Sequence, residues 1–182
     1  GGAPADLYRR GWTSSVRLWM QFDSRNARMF PTRGMFHLLS VEVADQYIAS
    51  EIDYVRVSGY ARFYRPIWGP FIFRLNAESG LVLSRRADGV PIYERYFLGG
   101  IQSIRGFRLF SLGPRIQIQS ALDPNSFLIP FSVGSNWQII VNSEIEFLII
   151  PAVQIKGVVF FDMGNGYNLE AKYCTSQTAT ST

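Results

Sequence analysis

The sequence predicts an all-β fold: a transmembrane antiparallel β-barrel, here an incomplete wall of about six strands, with one long loop folded back into the lumen. Three observations carry this. Six stretches alternate between an apolar and a polar face with period two, which is the signature of strands. Their connections alternate in length, short at one end and long at the other, as in outer-membrane barrels. Trp12, Trp68 and Trp137 fall at strand ends, where an interfacial aromatic girdle places them.

Composition agrees with a membrane wall. Charged residues make up 18% of the chain and aromatics 15%, whereas about 25% charge is usual in soluble domains. Mean hydropathy is close to zero. No apolar run reaches the roughly 18 residues of a membrane-crossing helix, but transmembrane strands need only about 9–11 and alternate apolar-out with polar-in. The net charge of +4 is spread along the chain without a basic block, which speaks against nucleic acid as a partner.

The first strand is predicted near 14–23, with Val16, Leu18, Met20 and Phe22 on one face and Arg17, Trp19, Gln21 and Asp23 on the other. Asn26, Pro31 and Gly34 then mark a turn. The second runs near 35–45, setting Leu39, Val41 and Val43 against Ser40 and Glu42. After a loop over 46–53, the third covers about 54–65 and sets Val55, Val57 and Phe63 against Arg56, Tyr60 and Arg62. Pro66–Pro70 reads as a tight turn. The fourth strand, near 71–84, alternates Phe71, Phe73 and Leu75 with Arg74, Asn76 and Glu78. A long loop at 86–135 is predicted on the extracellular side. Beyond it lie strands near 137–150 and 153–163, joined at Pro151-Ala152, and a polar tail over 164–182. A soluble barrel such as a lipocalin would bury the apolar faces instead; strand length, turn asymmetry and tryptophan placement favour the membrane. Residues 1–182 thus read as part of one barrel domain. Six strands cannot close such a barrel, and a sheet in lipid must close, so the remaining strands are expected elsewhere in a longer protein. Both ends read as interior to a longer chain.

Within the long loop, residues 96–114 carry the chemistry. Tyr96, Phe97, Ile101, Ile104, Phe107, Leu109 and Phe110 need something to pack on, and Gly99, Gly100, Gly106 and Gly113 allow sharp bends. The stretch reads as a glycine-hinged loop that carries Arg105 into a cavity. Glu144 and Glu146, two apart on one polar face, suggest general acid/base carboxylates, but no histidine accompanies them, since His37 stands at a strand start. They read better as partners for a desolvated arginine. No metal-ligand spacing is present. The glycines precede no helix, which excludes a phosphate-binding loop. No cofactor and no enzymatic activity are predicted. Cys174, the single cysteine, is a candidate for a disulfide to a partner outside the chain.

Gly99-Gly100-x-x-Ser103-Ile104-Arg105-Gly106-Phe107, followed by Leu112-Gly113-Pro114, resembles the sixth-loop motif of the BamA-like outer-membrane assembly superfamily, whose members join POTRA domains to a β-barrel. Phe160-Phe161-Asp162-Met163-Gly164 resembles an aromatic-Asp-x-Gly strand motif of that family. Ser143-Glu144-Ile145-Glu146-Phe147 resembles the strand after the loop, and Phe30-Pro31-Thr32-Arg33-Gly34 a periplasmic turn. The resemblance covers about residues 12–166. It implies a sixteen-stranded barrel in which these are strands eight to thirteen, with the POTRA domains and seam strands lying outside this chain. It implies that Gly99, Gly100, Ile104, Arg105, Gly106 and Phe107 form the loop motif. Their lumen partners would be Glu146, Asp162 and Phe160, with Phe107 packed on the inner wall beside Phe160. It further implies assembly and insertion of β-barrel proteins into the bacterial outer membrane. The partners would then be outer-membrane lipid, unfolded β-barrel clients and accessory lipoproteins. A secretion pore of the two-partner type, which shares the Arg-Gly-Phe loop, is the alternative; an outer-membrane barrel enzyme would need a Ser/His or Asp/His set that is not visible.

Overall fold

A computed structural model describes residues 11–86, 89–118, 129–153 and 155–170. In chain order its strands are β1 (Ser15–Asp23), β2 (Gly34–Ala44), β3 (Tyr54–Trp68), β4 (Phe71–Leu83), β5 (Arg115–Ile118), β6 (Ile129–Ser132), β7 (Trp137–Ile150) and β8 (Ile155–Tyr167). Six of them form one antiparallel sheet in the order β1-β2-β3-β4-β7-β8, while β5 and β6 pair with each other inside the long connection. β1 and β8 are edges, so the sheet is an open wall. Since a sheet in lipid must close, this wall is an incomplete part of a larger barrel.

The register turns sequence alternation into two continuous faces. On one, Val16, Val43, Val55 and Leu83 line up across four strands; on the other, Arg17, Glu42, Arg56 and Val82 do. The apolar face is bare: Leu18 is 74% exposed and Met20 71%. In water that would be untenable, and in a bilayer it is the lipid-facing side. The packed core lies on the inner face. Leu98 and Ile104 from the long connection are buried there with Ile140 of β7, and Ile52, Tyr54, Val82 and Val90 form a neighbouring cluster. The loop is therefore the inner wall's packing partner.

Three sequence expectations need correction. Pro66 lies inside β3, and the strand runs on to Trp68 before turning at Gly69-Pro70. A register shift between Pro66 and Trp68 absorbs it, because a proline has no N–H for the ladder and is tolerated at such irregularities. The last strand starts later than expected and continues to Tyr167, since Gly164, Asn165 and Gly166 still pair with Ile140, Ile139 and Gln138. Residues 86–135, expected as one long loop, also hold the β5–β6 ribbon and a 3-10 turn over Ile92–Glu94. Cys174 lies outside the described residues.

Candidate functional site

The long connection leaves β4, crosses the inner face and returns to β7. Tyr96 starts its descent by bridging to Ser135, with Tyr96 N donating to Ser135 O at 2.8 Å and Ser135 N to Tyr96 O at 2.7 Å. Leu98 pairs with Leu112, so the segment between them is a narrow finger. Its tip turns at Gly99 and Gly100, and Gly100 N donates to Phe107 O at 3.1 Å. Gly99 has φ +107°, and a Cβ there would collide with the Arg108 carbonyl and crowd Ser111, so only glycine serves. The side chain of Ser103 braces the turn by accepting from Gly99 N at 2.9 Å.

The finger is held to the wall by one arginine and one amide. Arg105 donates from Nε to Asp162 Oδ2 and from Nη2 to Asp162 Oδ1, both at 2.7 Å, and its backbone N–H reaches Oδ2 at 2.9 Å. Nη1 lies 2.7 Å from Glu144 Oε1. The guanidinium plane covers the Phe160 ring at 3.8 Å. Bidentate carboxylate contact and aromatic stacking together suit arginine and not lysine. These carboxylates, Asp162 above all, raise the Arg105 pKa above its ordinary value. Beside it, Asn142 Nδ2 donates to Ser103 O at 2.9 Å. The wall is also shaped to admit the finger. At Gly164 a Cβ would stand 2.8 Å from Ile104 Cδ1, and at Gly80 one would stand 2.7 Å from the Tyr96 ring. Missing side chains on β4 and β8 thus form the sockets for Tyr96 and Ile104.

Of the residues singled out in the sequence, the structure brings Arg105, Asp162 and Phe160 together, with Gly99, Gly100, Gly106 and Ile104 shaping the finger around them. It does not bring Glu146 to Arg105. Glu146 instead accepts from Arg74 Nη1 and Lys156 Nζ, each at 2.6 Å, and Glu144 takes the place beside Arg105. The register explains the exchange: Glu144 stands opposite Phe160, whereas Glu146 stands opposite Val158, one inward pair farther along. Phe107 is half exposed; the face of Phe160 is already occupied by the Arg105 guanidinium. His37 lies on the outer face, stacked on Phe22 at 6.3 Å.

Sequence reasoning missed Asn142 and Tyr96 as anchors. Asn142 was discoverable, since it pairs directly with Asp162 and shares the polar face of Glu144 and Glu146. It also missed an ion-pair network nearer the first strands. There Glu42 accepts from Ser15 Oγ at 2.8 Å, Tyr54 Oη at 2.9 Å and Arg17 Nε at 3.0 Å. Arg56 joins Glu42, at 3.5 Å, to Glu94 of the connection, at 2.5 Å. No local spacing signals a contact between residues 42, 56 and 94.

The Omp85 superfamily domain matches residues 4–182. Over 151 residues the chain is 26% identical to the outer membrane protein assembly factor BamA of Nitratidesulfovibrio vulgaris, covering 83% of this chain and 18% of that protein. Over 102 residues it is 28% identical to the sorting and assembly machinery component 50 homolog of Mus musculus, covering 56% of this chain and 22% of that protein. The crystal structure of BamA from Haemophilus ducreyi lacking POTRA domains 1–3 aligns with a TM-score of 0.77 at 20% identity, over 93% of this chain and 35% of that one; likeness at that identity is likeness of fold. The chain spans about a fifth of the length of these curated relatives.

Proposed function

The chain belongs to the Omp85 superfamily, and from that premise we propose that it is the loop-bearing wall of a protein that assembles and inserts β-barrel proteins into the outer membrane. Its strands are outer-membrane barrel strands. On this reading the short-turn end faces the periplasm, and the connection between β4 and β7 enters the lumen from the extracellular rim. Outer-membrane lipid and unfolded β-barrel clients are the partners, and accessory lipoproteins complete the machinery. The seam at which clients would be handled lies outside these strands. What this segment contributes is stiffness. A wall that must stay registered while another part of the barrel opens benefits from an internal strut, and the finger pinned by Arg105 is such a strut.

The observation that carries this reading is the Arg105–Asp162–Glu144 clamp, which ties a finger 57 residues away in sequence to β8 through three hydrogen bonds. The relatives named above are assembly components, which favours assembly over a secretion pore. The test is to place Arg105→Ala in the full-length protein, reconstitute it in liposomes and follow insertion of a newly synthesised barrel client by its heat-modifiable migration. Insertion is expected to slow about tenfold or more while the variant's own barrel stays folded, as when one member of a buried pair is removed. Client insertion at the unaltered rate would overturn the reading.

A further inference from the structure

The short-turn end of the wall is unbalanced in charge. Residues 24–35, 62–74 and 147–161 contain Arg25, Arg28, Arg33, Arg62, Arg65, Arg74 and Lys156, and no Asp or Glu. The carboxylates bordering these stretches are already engaged: Asp23 holds Arg25 at 2.8 Å, Glu146 holds Arg74 and Lys156, and Glu144 and Asp162 hold Arg105. Arg33 and Arg65 are exposed and have no carboxylate partner among the described residues.

Arg65 is the informative one. It stands opposite Phe73 in the register that puts Phe63 opposite Leu75, so it lies on the outer, lipid-facing side. Its strand, β3, is flanked by β2 and β4, and the outer face around it is complete within this chain. An inward arginine could find its partner on strands elsewhere in the barrel; an outward one cannot. Trp68 follows three residues later, stacked on Phe71 at 6.5 Å, and Phe71 leans on Phe147 at 5.5 Å. That aromatic row marks the membrane–water interface. Arg65 therefore sits about 10 Å inside it along the strand, within reach of the headgroup level for a side chain that can snorkel. Arg33 directly precedes Gly34, the strand partner of Tyr64, which in turn precedes Arg65. The two residues therefore fall at adjoining register positions of neighbouring strands, where like charges repel unless an anion lies between them.

We propose that Arg65, with Arg33, forms a binding site for the phosphate of an anionic phospholipid in the periplasmic leaflet. The planar guanidinium fork matches a phosphate diester, the aromatic row flanks the acyl chains, and the lipid supplies the negative charge that this end of the wall lacks. The proposal rests on the barrel orientation given above.

The test uses the full-length protein in detergent, titrated with phosphatidylglycerol or phosphatidylcholine, with bound lipid counted by native mass spectrometry. Wild type is expected to retain phosphatidylglycerol over phosphatidylcholine. Arg65→Leu should cut retention about fivefold, the share of one basic side chain at an anionic lipid surface, and a variant also carrying Arg33→Leu should cut it further. Leucine suits a lipid face, so the barrel should fold. Arg17→Leu, on the inner face, should leave retention unchanged. Equal retention by Arg65→Leu on a folded barrel would overturn this proposal alone. Whole-cell labelling of a cysteine placed at Gly69, with none at Ser50, would overturn the barrel orientation, and this site with it.

Discussion

Beneath the finger, β4, β7 and β8 present Gly80, Gly164 and Gly166 to the inner side, with Asn142, Glu144 and Asp162 between them. Across β1, β2 and β3 the same side carries Arg17, Trp19, Gln21, Ser40, Arg56, Ser58 and Tyr60 around an open cavity of about 460 Å³, closed on one flank by Tyr96 of the connection. Both regions obey one alternation, and both are polar. They differ at the inward glycines, which only the finger's half has beneath a docked side chain. Where a polypeptide docks, the wall gives up side chains and offers short acceptors. Away from the finger, Arg17, Trp19 and Tyr60 reach into the space. The difference teaches that the docking half of an inner wall is marked by what its residues lack, and that its ion pairs act as anchors. Those of the other half tie the wall to itself and to the base of the connection, through Glu94.

Several substitutions would break or sharpen this contrast. The largest effect is expected at Arg105, whose removal takes both guanidinium donors from Asp162, a carboxylate with only 2% of its side chain exposed, and leaves it the residue-105 backbone N–H. Losing one partner of a buried pair costs about 3–5 kcal/mol, and the lower end applies in a wet lumen. Arg105→Ala should accelerate hydrogen exchange of the Leu112 amide, which donates to Leu98 O at 3.2 Å, by about 100-fold. Arg105→Lys should recover only part of this, because lysine cannot make the two-pronged contact. Unchanged exchange in the alanine variant would mean that the clamp does not hold the finger.

Next come two glycines on opposite faces. Gly164→Leu would drive a side chain into the Ile139 carbonyl of β7 and into Ile104 of the finger, and should destabilise the wall and the finger docked on it by about 1–3 kcal/mol or more. A Cβ at Gly59, on the lipid face, meets only Leu39 Cδ1 at 4.0 Å, so Gly59→Leu should be neutral or better. Comparable losses in thermal midpoint for the two variants would abolish the distinction between docking half and bare surface.

The third comparison separates the two glutamates. Glu144→Gln should weaken the finger by about 1 kcal/mol, the difference between a hydrogen bond to a charged group and an ordinary one. Glu146→Gln should leave the exchange of the finger untouched, since its partners Arg74 and Lys156 belong to the wall. This pair also shows where sequence stops being informative. Alternation is local, so the inward position of Asp162, Phe160, Glu144 and Glu146 is readable from each strand alone. Choosing between Glu144 and Glu146 is not, because residues two apart share a face and only cross-strand register tells which one adjoins Phe160. Phe107 and the β5–β6 ribbon were illegible for a related reason: a loop has no period, and its side chains go where tertiary contacts leave room. Pro66 misled in the opposite direction, since a strong local turn signal was overridden by pairing on both sides of β3.

The smallest effect should come from Arg17, and its smallness matters to the contrast. Arg17 Nη2 lies 2.5 Å from Glu42 Oε2, which on distance alone resembles the Arg105 clamp. Two features separate them. The Arg17 side chain is 56% exposed, so water replaces whatever the pair loses. Glu42 also keeps Ser15, Tyr54 and Arg56 as donors, so no carboxylate is stranded when Arg17 goes. Exposed ion pairs contribute about 0–1 kcal/mol, and Arg17→Ala should fall within that range in a denaturant titration of the folded barrel. Its effect should shrink further with added salt, because the pair is screened. A loss approaching that of Arg105→Ala would mean that Arg17 also pins a docked segment, one supplied by strands or loops outside this chain. The cavity lined by Arg17, Trp19 and Tyr60 would then be a second socket, not an open surface.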